Sequence, residues 1–242
     1  MIRKSKFFKI MNQPKNKKLR LYCFPYAGGN TSAYLPFKEK IGDEIELVAV
    51  QLPGRAERMF EEPFTDMDTL VETLYRQIAP TLHEPFAFLG YSMGGAIAYA
   101  LTKKIENVSK FKPEFIIISA TKPIELLNQG KKHTLSDDAL IDVLRAHKAS
   151  PKEVLDSKEL MEMLLPMIRA DYTLIETYTP SILPRLETSL TLFNSEEDMS
   201  KETILQWQDY FQNEASYVAF EGGHFFIHTQ VDKMVEEIKK LL

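Results

Sequence analysis

The 242-residue chain contains one cysteine, Cys23, which excludes an internal disulfide. A lone thiol fits a reducing, cytoplasmic compartment, with Cys23 packed as a small apolar residue in a strand. No apolar run approaches the roughly 20 residues that a membrane-spanning helix needs. The N-terminus has neither a long apolar stretch nor a small-residue cleavage site, which argues against a secretory signal. The N-x-S/T triplets at Asn30 and Asn107 then carry no glycosylation reading. Acidic residues are missing from positions 1–20, which hold eight basic ones: Arg3, Lys4, Lys6, Lys9, Lys15, Lys17, Lys18 and Arg20. The rest of the chain carries 22 basic against 34 acidic residues, so a net charge of −4 hides a body at −12. Such a segment reads as a solvated, poorly ordered tail over residues 1–18, with an arm for an acidic partner as the alternative.

Hydrophobic residues make up 44% of the chain, enough for a sizeable core. The length suits one α/β domain, here 19–242, and is short for two. Short apolar runs bounded by turn residues read as strands at Leu19–Phe24, Ile45–Val50, Phe86–Leu89, Phe115–Ser119, Thr188–Asn194 and Ala215–Phe220. Helical periodicity fills the gaps. Asp66 caps a helix whose stripe is Leu70, Leu74 and Ile78, and Val231–Leu242 closes the chain as an amphipathic helix. This alternation predicts a mostly parallel sheet covered on both faces. One connection breaks the rule. Residues 123–188 are helical in texture and far longer than an ordinary link. One helix is expected from Ser136 through His147, another from Ser150 or Pro151, and a long piece over Leu160–Tyr178 kinked or broken at Pro166. The insertion reads as an active-site lid, with a static subdomain as the alternative.

The chemistry centres on Gly90-Tyr91-Ser92-Met93-Gly94, between a buried strand and a helix rich in small residues. This is the G-x-S-x-G nucleophile elbow, in which a strained serine on a sharp turn leaves no room for a Cβ at its flanks. Such a serine needs a base, an orienting acid and two amides for the developing oxyanion. His224, past the last strand, stands where the base belongs. Glu196, Glu197 and Asp198 follow the preceding strand; an aspartate fits the reach best, which favours Asp198 over Glu197. The order serine, acid, histidine is that of the α/β-hydrolase triad. The amide of Met93, after the serine, and that of Ala27, in the Gly-rich turn after the first strand, are the oxyanion-hole candidates. His224 and His228 mimic a zinc-binding H-E-x-x-H, but Phe225 occupies the glutamate position, so no metal is expected.

Five segments carry a family resemblance: FPYAGG (24–29), LPGRAER (52–58), GYSMGG (90–95), LLPMIRADYTLIETY (164–178) and FEGGHFFI (220–227). From Leu19 onward the chain resembles the type II thioesterases of nonribosomal peptide and polyketide synthesis, the surfactin-type editing enzymes. One position departs: three residues before the aspartate the family has glycine, and here stands Ser195. The resemblance implies an α/β-hydrolase fold with a helical lid. It implies hydrolysis of misloaded or stalled acyl groups from the phosphopantetheine arm of carrier domains, through Ser92, His224 and Asp198. The arm belongs to the substrate, so no cofactor of the enzyme's own is implied. The partners are acyl- or peptidyl-carrier domains, with no nucleic acid and no membrane, and the expected state is a monomer. Lys122, Lys131, Lys132 and Arg145 are candidates for a basic docking patch. Other enzyme readings are a carboxylesterase or lipase and a medium-chain fatty acyl-carrier thioesterase; the non-enzyme reading is a scaffold that has lost activity.

Overall fold

The structure is a computed structural model that describes residues 5–146 and 152–242. Its strands are β1 (Phe8–Ile10), β2 (Leu19–Phe24), β3 (Ile45–Val50), β4 (Phe86–Tyr91), β5 (Phe115–Ser119), β6 (Ser189–Ser195) and β7 (Ser216–Phe220). They form one sheet in the order β1-β3-β2-β4-β5-β6-β7. The strands β2 to β7 run parallel, and β1 lies antiparallel along β3. The helices are α1 (Leu35–Lys38), α2 (Met67–Ile78), α3 (Met93–Val108), α4 (Ile124–Leu127), α5 (Asp137–Ala146), α6 (Lys152–Leu155), α7 (Lys158–Glu176), α8 (Lys201–Leu205), α9 (Phe226–Thr229) and α10 (Val231–Lys239).

Every residue of β2, β3, β4 and β5 is buried. A sheet covered on both faces hides both sides of each strand, which is why these segments read as unbroken apolar runs. Successive side chains still alternate. Tyr22, Phe24, Val48, Phe86 and Phe88 join one core with Leu70, Leu74 and Ile78 of α2 and Ile97 of α3. Leu21, Cys23, Leu47, Ala87 and Leu89 join the other with Phe37 of α1 and Met234 and Ile238 of α10. Asp66 caps α2 by accepting the Thr69 amide at 2.8 Å.

The N-terminal segment departs from the expected tail. Residues 1–4 lie outside the described residues, but Phe8–Ile10 extends the sheet, with Phe8 opposite Val50 and packed edge-on to Tyr22 at 5.3 Å. The Met11 amide continues the pairing onto the Leu47 carbonyl at 2.8 Å. The lysines find acids of the body: Lys6 pairs with Glu61, Lys17 with Glu84 and Lys18 with Glu44. Arg20 crosses from β2 to its register partner Glu46 on β3. Four of the eight basic residues, Lys6, Lys17, Lys18 and Arg20, thus pair with acids of the fold, and Phe8 and Met11 are buried among them.

Between β5 and β6 the chain forms the expected helical insertion, α4 to α7. The anticipated helix end at His147 and start at Ser150 or Pro151 lie outside the described residues. The insertion has its own small core of Leu140, Leu144, Leu155, Met161, Leu165, Met167 and Ile168. Contrary to the expected break, α7 runs through Pro166. Proline removes the amide that would bond the Glu162 carbonyl four residues back. Both residues are exposed, so water can take that carbonyl and the helix continues.

Candidate active site

The serine is set by the β4–α3 junction. Ser92 has φ +52° and ψ −118°, a region that side chains rarely adopt. Its neighbours make the strain unavoidable. A Cβ on Gly90 would stand 2.2 Å from the Gly94 carbonyl oxygen, and one on Gly94 would stand 2.1 Å from that of Phe24. The turn is then tied to the next strand: the Ser92 amide donates to the Ser119 carbonyl at 2.8 Å. Thr121 Oγ1 lies 2.9 Å from the Ser92 carbonyl oxygen.

The histidine follows β7 and is anchored through its backbone. Buried Tyr91 donates its hydroxyl to the His224 carbonyl at 2.6 Å and accepts the Ile227 amide at 3.3 Å. Burial raises this phenol far above its ordinary pKa, so it stays a neutral donor. The imidazole bridges two strand ends. Its Nε2 lies 3.0 Å from Ser92 Oγ, and its Nδ1 lies 2.8 Å from Asp198 Oδ2. The structure therefore brings Ser92, His224 and Asp198 into one line. Glu197 acts elsewhere. Its carboxylate accepts the Gly222 amide at 2.9 Å, which fixes the loop that carries the histidine. Ser195 bonds the Gly222 carbonyl through its hydroxyl, so the residue that replaces the family glycine ties the acid loop to the histidine loop. Tyr91 and Ser195 were not singled out by sequence reasoning as supports for the histidine.

Both oxyanion candidates follow the ends of adjacent strands, Ala27 after β2 and Met93 after β4. Met93 opens α3, where first-turn amides have no helical carbonyl to bond. Tyr26 to Gly29 form a tight turn closed by the Gly29 amide on the Tyr26 carbonyl at 2.9 Å. Gly28 has φ +76°, as the third position of a type II turn requires. The Gly28 amide goes to Asp171 Oδ2 at 2.8 Å, and the Ala27 amide is used by neither bond.

A cavity of about 210 Å³ opens beside the serine. Ala27, Ser92, Asp198 and His224 line it; its apolar wall comes from Leu126, Leu127, Leu144, Tyr172 and Ile175 of the insertion and from Tyr26, Met199 and Phe225 of the body. Lys122 and Lys132 also line it, with the Lys132 ammonium 4.9 Å from the centre of the Tyr172 ring. Burial lowers the pKa of Lys132. Buried Glu176 holds the adjoining loop by accepting the His133 amide at 3.0 Å. Of the other suggested docking cations, Lys131 is exposed, and Arg145 is bound to Asp142 and Asp156.

The histidine pair does not converge on a metal. His228 Nε2 lies 3.0 Å from the Tyr26 hydroxyl, while His224 faces Ser92 and Asp198. Burial lowers the pKa of His228. Among the described residues, no group of three or more His, Cys, Asp or Glu side chains could hold a metal ion. No helix among them is long and apolar enough to cross a membrane.

Comparison with known proteins gives the family. The gramicidin S biosynthesis protein GrsT of Aneurinibacillus migulanus is 33% identical over 241 residues, covering 98% of this chain and 94% of that protein. The RedJ thioesterase of the prodiginine biosynthetic pathway in Streptomyces coelicolor superimposes with a TM-score of 0.88 at 30% identity, over 96% of this chain and 88% of its own. The type II thioesterase BorB of the borrelidin biosynthetic cluster gives a TM-score of 0.87 at 28% identity, over 97% of both chains. The thioesterase domain family matches residues 19–242. On these grounds the chain belongs to the thioesterase domain family, with the α/β-hydrolase fold.

Proposed function

We propose that this thioesterase hydrolyses acyl groups from the phosphopantetheine arm of carrier domains, clearing misprimed or stalled nonribosomal peptide or polyketide synthases. The observation that carries the reading is the Ser92–His224–Asp198 line opening onto a small, mostly apolar cavity. His224 takes the Ser92 proton as the serine attacks the thioester carbonyl, and Asp198 holds the imidazole in the required tautomer. The Ala27 and Met93 amides receive the oxyanion. The arm's thiol leaves with the proton from His224. Water, activated by the same histidine, then releases the acid and restores Ser92. No cofactor or metal enters this sequence. Similarity to proteins of antibiotic biosynthesis supports the carrier-bound substrate.

The test is relative turnover of one acetyl group presented as a carrier-bound thioester, as a small soluble thioester and as an oxygen ester. The reading expects the carrier-bound form to be preferred in kcat/KM. Preference for the oxygen ester would replace it with an esterase.

A further inference from the structure

Two motifs take no part in the serine–histidine–aspartate line: LPGRAER after β3 and RADY within α7. They meet in the interior. Arg55 and Asp171 form a two-pronged ion pair, Nη1 to Oδ2 at 2.8 Å and Nη2 to Oδ1 at 2.7 Å. Their side chains are only 3% and 2% exposed. The same Asp171 Oδ2 accepts the Gly28 amide at 2.8 Å. Arg55 Nη1 also reaches the Gly29 carbonyl at 3.2 Å, and its Nε reaches that of Pro53 at 3.2 Å. One buried cluster thus joins the turn after β2, the turn after β3 and helix α7.

The turn after β2 carries the proposed oxyanion amide. A peptide unit is rigid, so the Ala27 N–H shares a plane with the Tyr26 carbonyl. That carbonyl is held by the Gly29 amide. The next plane contains the Gly28 N–H, and Asp171 holds it. Ala27 is therefore fixed from both sides. A bare carboxylate here would oppose a developing oxyanion nearby, and the Arg55 guanidinium offsets its charge.

We propose that Asp171 and Arg55 are positioning residues for the oxyanion turn. Asp171 orients the Ala27 amide through Gly28, and Arg55 holds and neutralises Asp171. The inference rests on the assignment of Ala27 above. The place of Asp171 in α7 adds weight. Before it, Leu165, Met167 and Ile168 belong to the insertion core, whereas Leu174 and Ile175 after it belong to the core of the sheet. The aspartate thus stands where the insertion is joined to the body.

The experiment compares the full-length enzyme with Asp171→Asn, Arg55→Met and the double variant on an acetylated carrier protein, each well below its melting temperature. Losing an oxyanion donor outright typically costs 10²–10³ in kcat, so misaiming one should cost about 10–100-fold. In Asp171→Asn, kcat should fall by that factor. KM and the acid limb of the kcat/KM profile should hold, because the serine, histidine and Asp198 stand on other loops. Arg55→Met should fall further, and adding Asp171→Asn should restore part of the loss by removing the unpaired charge. Folded variants with unchanged kcat would overturn the proposal. So would losses that arrive with equal changes in KM and the acid limb, which mark a general disturbance. Should the variants not fold, amide exchange in the wild type decides. The Gly28 amide should exchange far more slowly than an open loop amide, and rapid exchange would overturn the role. Ser92→Ala separates the two levels. Its retained turnover would sink the catalytic assignment itself, whereas its loss beside an unaffected Asp171→Asn sinks the positioning role alone.

Discussion

The body and the insertion are held together differently. The body has two cores, one on each face of its sheet, and its central strands are buried along their whole length. The insertion has one small core of its own; Asp171 joins it to the turn after β2, Ile124, Leu174 and Ile175 join it to a core of the sheet, and Glu176 and Arg169 of α7 hold its own loop at the His133 amide and the Leu135 carbonyl. The Ser92–His224–Asp198 line stands wholly on the body, just past strand ends. The cavity beside it is walled by both, the insertion supplying Leu126, Leu127, Leu144, Tyr172 and Ile175. This division lets one fold keep the chemistry fixed while the cavity wall varies.

The largest effect expected from breaking this arrangement lies at the two neighbouring acids. Asp198→Ala should lower kcat by about 10⁴-fold, the scale seen when a triad acid is removed. Glu197→Ala loses a loop anchor and should cost far less. Steady-state kinetics on one thioester checks both; equal losses would mean that the Gly222 bond matters as much as the acid.

The next contrast concerns stability. Phe88 is fully buried among Tyr22, Phe24 and Phe86, so Phe88→Ala should cost about 3–5 kcal/mol of global stability. Leu140 is just as buried, but in the insertion core. Leu140→Ala should mainly speed amide exchange in the insertion, with a smaller shift of the denaturation midpoint. Equal midpoint shifts would show the two regions to be one cooperative unit.

A smaller effect concerns His228. Its ring is exposed on one side, and partial desolvation depresses its pKa in the fold, so below the unfolded value of about 6.5 the unfolded chain binds slightly more protons. Stability should therefore be complete above that pH and decline as pH falls through it. Denaturation midpoints between pH 7 and pH 5 should fall less in His228→Gln than in the wild type. An identical decline would assign the acid sensitivity to other groups.

How far the sequence could be read follows from where each constraint lies along the chain. The strands β2, β3 and β5 are legible to the residue because burial on both faces demands an unbroken apolar run. The elbow is legible because its steric demands fall within five residues. The first strand is not, since its three residues, Phe8, Lys9 and Ile10, are too few to show a pattern and stand in a lysine-rich stretch. The continuation of α7 through Pro166 depends on which way the helix faces, and that is settled by packing. The pair Arg55–Asp171 spans 116 residues, so neither partner reveals the other. A signal existed all the same. Asp171 shares a stripe with Ile168 and Ile175, and a carboxylate on the buried face of a helix must find a partner.

The central claim is that Ser92 forms the acyl-enzyme on a carrier-bound thioester. The most direct measurement is release of an acetyl group from a phosphopantetheinylated carrier protein by the wild type beside Ser92→Ala. Rapid release by the wild type, falling by several powers of ten in the variant, is the predicted result. Release that persists in Ser92→Ala would contradict it.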